Sequence, residues 1–427
     1  MFRLFIVLYS IIASPLMYVA FILGSLMNSK IRQGLIGRIG SLKKLSAFID
    51  TVAPSKKIIL IHSSSVGEWE QSVQIINELK KNHSNLVFIA TFFSPSGFNH
   101  VTSDAIDYKL YLPLDDPFST KKLFKITKPT CWIIAKYDLW PNAVHAALWA
   151  KTPIILASAE LAEDSQRHKG LLGYFNKIFY FKVDYILPVS EEYAERFRLI
   201  YNKPEALIVT GDARYDQIYQ KAQCFSEQTP LNLFENNAPT MICGSTWPED
   251  EKVLFPALAD LQKSNIDFNI VIVPHEISEK HNSNIEAFWA QNGKKCKRYT
   301  QLDQDEKLDG DILIVDTIGL LAKLYQSADF VYVGGSFSSG VHNVLEPAAF
   351  SNPVIYGPRY KNSYEAKQLI KLEAGVSIAD SKEAQKIIGK FVSEKHIRKT
   401  KGAIARQFLA ESLGAAEKTA KIVEQYL

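Results

Sequence analysis

The stretch Ile59 to Ile76, ILIHSSSVGEWEQSVQII, sets a hydroxyl cluster, a glycine and the carboxylate of Glu68 between two apolar runs. A carboxylate at the end of a buried strand can take a proton from a substrate hydroxyl. The simpler reading makes Glu68 an acidic first-turn residue that complements a helix dipole. A second group lies in FVYVGGSFSSGVHNVLEPAAF, where Gly334, Gly335 and Ser336 end an apolar run and His342 and Asn343 precede Glu346. Glycines let the backbone approach a ligand, and a helix amino end offers unpaired N–H groups, so this group suits a phosphate held without a metal. Glu346, about one turn into that helix, is placed to reach ribose hydroxyls. The plainer alternative for the glycine pair is a tight turn that needs positive φ. CGSTWPEDEKVL repeats the arrangement with Gly244, Ser245 and Thr246. Ser245 or Thr246 is a candidate helix cap there, with Pro248 in the first turn and Glu249, Asp250 and Glu251 near the positive end. Capping alone would explain every residue of that segment except Gly244 and Trp247.

These residues need strand ends to stand on. KIILIHSS, NLVFIATFF, YKLYLPL, TCWIIAKY, TPIILASAE and VDYILPVS read as one series of strands, and TMICGSTW, FNIVIVPHE, DILIVDT, DFVYVGG and NPVIYGP as a second. The segments between them carry helix-period apolar residues or loops, which predicts parallel strands covered by helices. In such open sheets ligands bind at the carboxyl ends of the strands, so the loop Ser63 to Gly67 and Glu68 would look into a cleft. The α/β architecture implied is two Rossmann-like halves with a cleft between them. Boundaries are expected at 1–30 for an N-terminal segment, 31–215 and 236–400 for the halves, 216–235 for a linker and 401–427 for a closing helix.

A chain of 427 residues with net charge +4 suits two domains and carries no nucleic-acid-binding arm. No short internal repeat or low-complexity stretch interrupts it. Cys131, Cys224, Cys243 and Cys296 are scattered, with neither a disulfide frame nor zinc spacing. The N-terminus departs from the globular pattern. Leu4 to Met27 carries no charge and is long enough to cross a ~30 Å hydrocarbon layer as one helix. Lys30, Arg32, Arg38, Lys43 and Lys44 follow it against Arg3 alone before it, which leaves the body of the protein in the cytoplasm and favours an anionic lipid surface. Ser14 and Pro15 in mid-segment keep open a helix that lies in the interface instead of crossing.

HSSSVGE, DLWPN, TGDARYD, GSTWPEDE and VGGSFSSGVHNVLEPAAFSNPVIYGP, in this order behind an apolar N-terminus, resemble the 3-deoxy-D-manno-octulosonic acid (Kdo) transferases of Gram-negative lipopolysaccharide synthesis. The resemblance implies a GT-B glycosyltransferase fold, CMP-Kdo as donor, a lipid A precursor as acceptor and inverting transfer at the cytoplasmic face of the inner membrane. It makes the 31–215 half acceptor-binding and the 236–400 half CMP-sugar-binding. It carries Glu68 over as the general base and places Ser65, Gly67 and Asp138 on the acceptor side. On the donor side it places Gly244, Ser245, Thr246, Gly335, Ser336, His342, Asn343 and Glu346. His275 either faces the cytidine or is an ordinary loop histidine.

The chain departs from the family pattern at several positions. Lys136-Tyr137-Asp138 stands where Glu-x-Glu is typical, and Ser158-Ala159-Glu160-Leu161 where Asn-Ala-Arg-Leu is usual. Val273-Pro274-His275 lacks the arginine of Pro-Arg-His, and Ser339-Gly340-Val341 replaces Arg-Gly-Gly before His342. The lost positive charge then has to come from elsewhere, with Arg214 or Lys361 as candidates. Asp303, Asp305, Asp309 and Asp311 superficially match the Asp-x-Asp metal motif of other glycosyltransferases, but they form a charged run before a strand, and a CMP-sugar has a single phosphate. A solvated loop, no metal and no cofactor are expected. The other function classes are a GT-B transferase or epimerase using a UDP-sugar, and a non-catalytic nucleotide-sugar binder.

Overall fold

The computed structural model describes residues 2–101, 104–163, 165, 167, 169–264, 266–303 and 306–427. The chain divides into two compact units, Met1–Gln217 with Leu413–Leu427, and Ile218–Ser412. The first holds six parallel strands: β1 Lys57–Ser63, β2 Leu86–Phe92, β3 Tyr108–Tyr111, β4 Cys131–Ala135, β5 Ile154–Ala159 and β6 Tyr185–Pro188. Their order is β3-β2-β1-β4-β5-β6. The apolar runs are near-continuous because helices cover both faces. Ile59, Ile61, Ile133 and Ile155 pack on one face, and Leu60, Ile89, Trp132 and Ile134 on the other. The chain runs outward from β1 through β2 to β3 and then returns to lay β4 on the other side of β1, so the loops after β1 and β4 lie at a topological switch point.

The second unit holds β7 Thr240–Thr246, β8 Asn269–Pro274, β9 Cys296–Arg298, β10 Ile312–Ile314, β11 Phe330–Val333, β12 Val354–Tyr356 and β13 Gly375–Ser377. All are parallel, in the order β13-β12-β11-β7-β8-β10-β9. Its switch point falls between β7 and β11, after which come Trp247 and the Gly334 loop. The edge strands β9 and β13 were not expected from sequence. Each is three residues long, and the charged Cys-Lys-Arg of β9 gives no apolar run.

Two expectations about connecting segments are corrected. A helix, Ala213–Ser226, occupies the start of the stretch expected to be a linker. It buries small or single apolar residues, Ala213, Tyr215 and Ala222, and so shows no strong apolar period. The expected closing helix is two helices, Lys395–Glu411 and Ala415–Glu424, separated at Gly414 with φ +87°. Asp216 caps the second, accepting the Gly414 and Ala416 N–H groups at 2.7 and 3.0 Å.

Phe2–Met27 forms one helix of mean hydropathy 2.2, long and apolar enough to cross a membrane. The turn Tyr9–Ala13 is π-helical just before Pro15, a register that accommodates the missing proline N–H. One side is fastened to the first unit. Ser10 Oγ donates to Asn142 Oδ1 at 2.7 Å, Tyr18 OH donates to Asp116 at 2.9 Å, and the rings of Phe2 and Phe21 meet Phe179 and Phe93. The other side exposes Leu4, Ile11, Leu16, Leu23 and Leu26.

Candidate active site

In the first unit β1 ends at Ser63, Ser65 caps the helix Val66–Asn82, and Glu68 falls in its first turn. The Glu68 carboxylate is 9% exposed and accepts the Ser64 N–H at 2.5 Å. It therefore closes the strand-to-helix turn, as the first-turn reading expected, and is also a buried acid at a strand end. Burial raises its pKa above the usual glutamate value. The Ser64 bond opposes that shift, the Asp138 charge adds to it, and the His62 and Lys136 charges oppose it.

Asp138 follows β4 and meets the same loop. Its carboxylate accepts the Ser64 hydroxyl and faces His62 Nε2 at 3.1 Å. Burial works to raise the Asp138 pKa, but the His62 bond and charge outweigh it and hold the carboxyl below its ordinary value. His62, fully buried, sets its Nδ1 2.9 Å from Thr91 Oγ1 on β2. Sequence reasoning passed over His62, although it stands inside the HSSSVGE motif. Ser65 is half-buried, and Gly67 is exposed with open space where a side chain would be.

Beside this group, Lys136 Nζ lies 3.2 Å from Glu160, and Arg214 lies 2.5 Å from Asp212. Gln71, one turn beyond Glu68, donates to Asp212 at 3.0 Å. Arg214 is thus engaged in the first unit. Arg38, one of the basic residues after the N-terminal helix, donates to the Gly34, Phe93 and Leu112 carbonyls and stacks on Phe93 and Tyr111, so it holds the fold together.

In the second unit Gly244 must lack a side chain, because a Cβ there would stand 2.4 Å from Tyr325 Oη. Ser245 adopts φ +54°. Neither Ser245 nor Thr246 caps the next helix. Trp247 is the cap residue of Pro248–Lys263, and the fully buried Thr246 donates to Glu251 at 2.9 Å. Asp250, read from sequence only as a first-turn acid, is the hub. Wholly buried, it accepts the N–H groups of Trp247 at 2.9 Å and Gly335 at 2.8 Å and the Tyr332 hydroxyl at 2.7 Å.

Gly335 has φ +93°, with Gly340 O 2.4 Å from where a Cβ would be. Its amide, expected to face a phosphate, is turned inward to Asp250. Ser336 is likewise fully buried and accepts the Gly357 N–H at 2.5 Å. These two residues shape the loop. His275 is exposed and stacks against two rings, 4.6 Å from Trp247 and 4.4 Å from His342. Trp247 Nε1–H donates to His342 Nε2 at 2.9 Å. Burial, with the His275 charge second, lowers the His342 pKa, in the sense that suits an acceptor. Asn343 accepts the Leu345 N–H and donates to Glu346, which lies at the second position of the five-residue helix Leu345–Ala349, nearer its start than expected. Lys361 is exposed in the segment after β12, and Arg359 of the same segment reaches the glycine loop, its guanidinium donating to the Ser338 carbonyl. Sequence reasoning missed Arg359. Among the described residues no cluster of three or more His, Cys, Asp or Glu side chains is arranged to hold a metal. Asp303 and Asp309 are exposed, and Asp305 lies outside the described residues.

Comparison with known proteins follows the same lines. Residues 35–217 match the family model for 3-deoxy-D-manno-octulosonic-acid transferase (kdotransferase). The chain is 24% identical to the 3-deoxy-D-manno-octulosonic acid transferase of Haemophilus influenzae over 432 residues, 100% of this chain and 99% of the relative. Transferases of the same name from other bacteria match over most of the chain. Among solved structures, UDP-GlcNAc 2-epimerase from Neisseria meningitidis aligns with TM-score 0.58 and 12% identity, over 83% of this chain and 99% of that one. A glycosyltransferase from Rickettsia africae aligns with TM-score 0.56 and 15% identity, over 87% and 98%. At such identities the structural likeness speaks for the fold alone, which is GT-B, while the sequence matches show a chain similar to the Kdo transferases along most of its length and indicate a glycosyltransferase.

Proposed function

We propose that the protein transfers Kdo from CMP-Kdo to a lipid A precursor, with inversion, in lipopolysaccharide synthesis. The observation that carries this reading is the buried carboxylate of Glu68 at the carboxyl end of the central strand β1, beside Asp138 at the switch point. A sugar hydroxyl is a poor nucleophile, and a glutamate whose pKa is raised by burial is a better proton acceptor than an exposed one. Glu68 takes the acceptor hydroxyl proton as the new C–O bond forms at the anomeric carbon of Kdo. The bond from that carbon to the CMP phosphate oxygen breaks, and CMP leaves with the electron pair. The second unit holds the nucleotide. His342, Asn343 and the start of the Leu345–Ala349 helix serve the phosphate, Glu346 the ribose, and Arg359 supplies positive charge. Gly244, Gly335 and Ser336 shape that surface from behind. The acceptor falls to the first unit, at Ser65, Gly67 and Asp138.

The N-terminal helix attaches the enzyme to the cytoplasmic face of the inner membrane. Its bonds from Ser10 to Asn142 and from Tyr18 to Asp116 would break if it crossed the bilayer as a free helix. The reading that keeps them is a helix lying in the interface with its Leu4, Ile11, Leu16 and Leu23 side in lipid.

The test is transfer from CMP-Kdo to a lipid A precursor in detergent, followed by mass analysis of the lipid, for wild type and Glu68→Gln. Added Kdo mass in the wild type and a kcat lower by about 10²–10⁴ in the variant support the assignment. A folded wild type that transfers no Kdo removes it.

A further inference from the structure

Two of the departures from the Kdo transferase pattern meet in space. Lys136 stands where the first Glu of Glu-x-Glu is typical, and Glu160 where the Arg of Asn-Ala-Arg-Leu is usual. The two positions end the neighbouring strands β4 and β5, which pair through Ala135 and Ala157. Lys136 Nζ lies 3.2 Å from Glu160 Oε1 and 3.3 Å from Oε2, with side chains 20% and 24% exposed. We infer that the Lys136–Glu160 ion pair, formed between two positions that both depart from the family pattern, positions the loop carrying Asp138. The inference rests on the reading of Glu68 and Asp138 as groups of the transfer site.

The electrostatics of the contact require opposite charges at the two positions. Lys136 opposite an arginine would set two cations side by side, and Glu160 opposite a glutamate two anions. Only the joint exchange restores attraction. The backbone is committed to the same contact: Lys136 has φ +61° and Ser158, two residues before Glu160, has φ +47°. Non-glycine residues hold such conformations only where their surroundings impose them.

The pair also belongs to a wider frame around the proposed base. Asp138 follows Lys136 by two residues and carries the bonds to Ser64 and His62. Glu160 stands 4.0 Å from Arg214, whose partner Asp212 accepts from Gln71 on the Glu68 helix. The loops after β4 and β5 are therefore tied both to each other and to the helix that carries Glu68. Lys136 and Glu160 act through these neighbours, as positioning residues.

The experiment is a double-mutant cycle on the full chain with Lys136→Glu, Glu160→Arg and both together, plus Lys136→Arg as the conservative variant. Kdo transfer and thermal unfolding are measured on each. Each single charge reversal is expected to lower kcat about tenfold or more with a smaller change in KM, and to lower the unfolding midpoint. The double variant regains most of both losses, and Lys136→Arg stays near wild type. Should a charge-reversed single variant fail to fold, Lys136→Met, Glu160→Gln and their combination give the same cycle by unfolding alone. A double variant whose losses equal the product of the single losses overturns the inference. The unfolding cycle needs no substrate, so it judges the pair even if the wild type proves to transfer a different sugar.

Discussion

Asp250→Asn tests the construction of the loop proposed to hold the nucleotide. The carboxylate is fully buried, joins none of the ion pairs among the described residues, and is held by donors alone. These are the Trp247 and Gly335 N–H groups on Oδ2, and the Tyr332 hydroxyl with a long 3.4 Å contact from the Phe337 N–H on Oδ1. Asparagine keeps the shape but offers one oxygen. Its best placement leaves that oxygen on Trp247 and Gly335 and sets the NH2 against Tyr332, whose hydroxyl can turn to accept. The Phe337 N–H then faces another donor. Three bonds to a charged acceptor become neutral bonds, each weaker by about 1 kcal/mol, so the loss is about 3 kcal/mol. Removing a buried charge offsets part of this, leaving about 2–3 kcal/mol. For a unit of this size that is a fall of about 4–12 °C in the unfolding midpoint. Because the weakened Gly335 bond and the stranded Phe337 N–H both belong to the loop proposed to face the nucleotide, CMP binding should weaken as well. Calorimetric unfolding and CMP titration of wild type, Asp250→Asn and Asp250→Ala read both effects, with the alanine variant worse because it strands every donor. An Asp250→Asn variant with unchanged midpoint and unchanged CMP affinity would refute the hub assignment.

Gly335→Ala places a methyl group 2.4 Å from Gly340 O at φ +93°, a strain of about 1–3 kcal/mol that should lower both the midpoint and CMP affinity. Wild-type CMP affinity in that variant would show that the loop relaxes freely. Arg359→Met leaves the backbone bonds of Arg359 to Ser336 and Val341 in place but removes an exposed charge worth about 0.5–1 kcal/mol, so CMP should bind roughly two- to fivefold more weakly, with the difference fading at high salt. A salt-independent difference would count against a phosphate role for that charge. As the proposed base Glu68 has to be deprotonated, and burial raises its pKa, so kcat/KM should fall on acidification with a midpoint above that of an exposed glutamate. Removing the opposing charge in Lys136→Met should move that limb to still higher pH, and a limb that moves down instead contradicts the sign of the Lys136 contribution.

The strand series, the parallel sheets and the position of Glu68 were legible in the chain itself because each rests on local pattern. Doubly covered strands must be apolar throughout, and KIILI or FVYV can be little else. The short edge strand Cys296–Arg298 and the helix Ala213–Ser226 escaped because one lacks an apolar run and the other buries mostly small residues. The sequence also brought forward the glycines at 244 and 335; the positive φ of Gly335 is a property of its own backbone, whereas Gly244 is bare because the distant Tyr325 fills the space beside it.

What no local pattern contained was pairing between distant residues. Asp250 read as a first-turn acid until the fold set the Gly335 amide against it, 85 positions away in the chain. His62 joined Asp138 and Lys136 joined Glu160 only when neighbouring parallel strands brought their carboxyl ends together. In a parallel sheet strand ends that are close in space are separated in sequence by a crossover, so residue type and spacing could nominate the strand ends, and the tertiary structure decided which charges meet there.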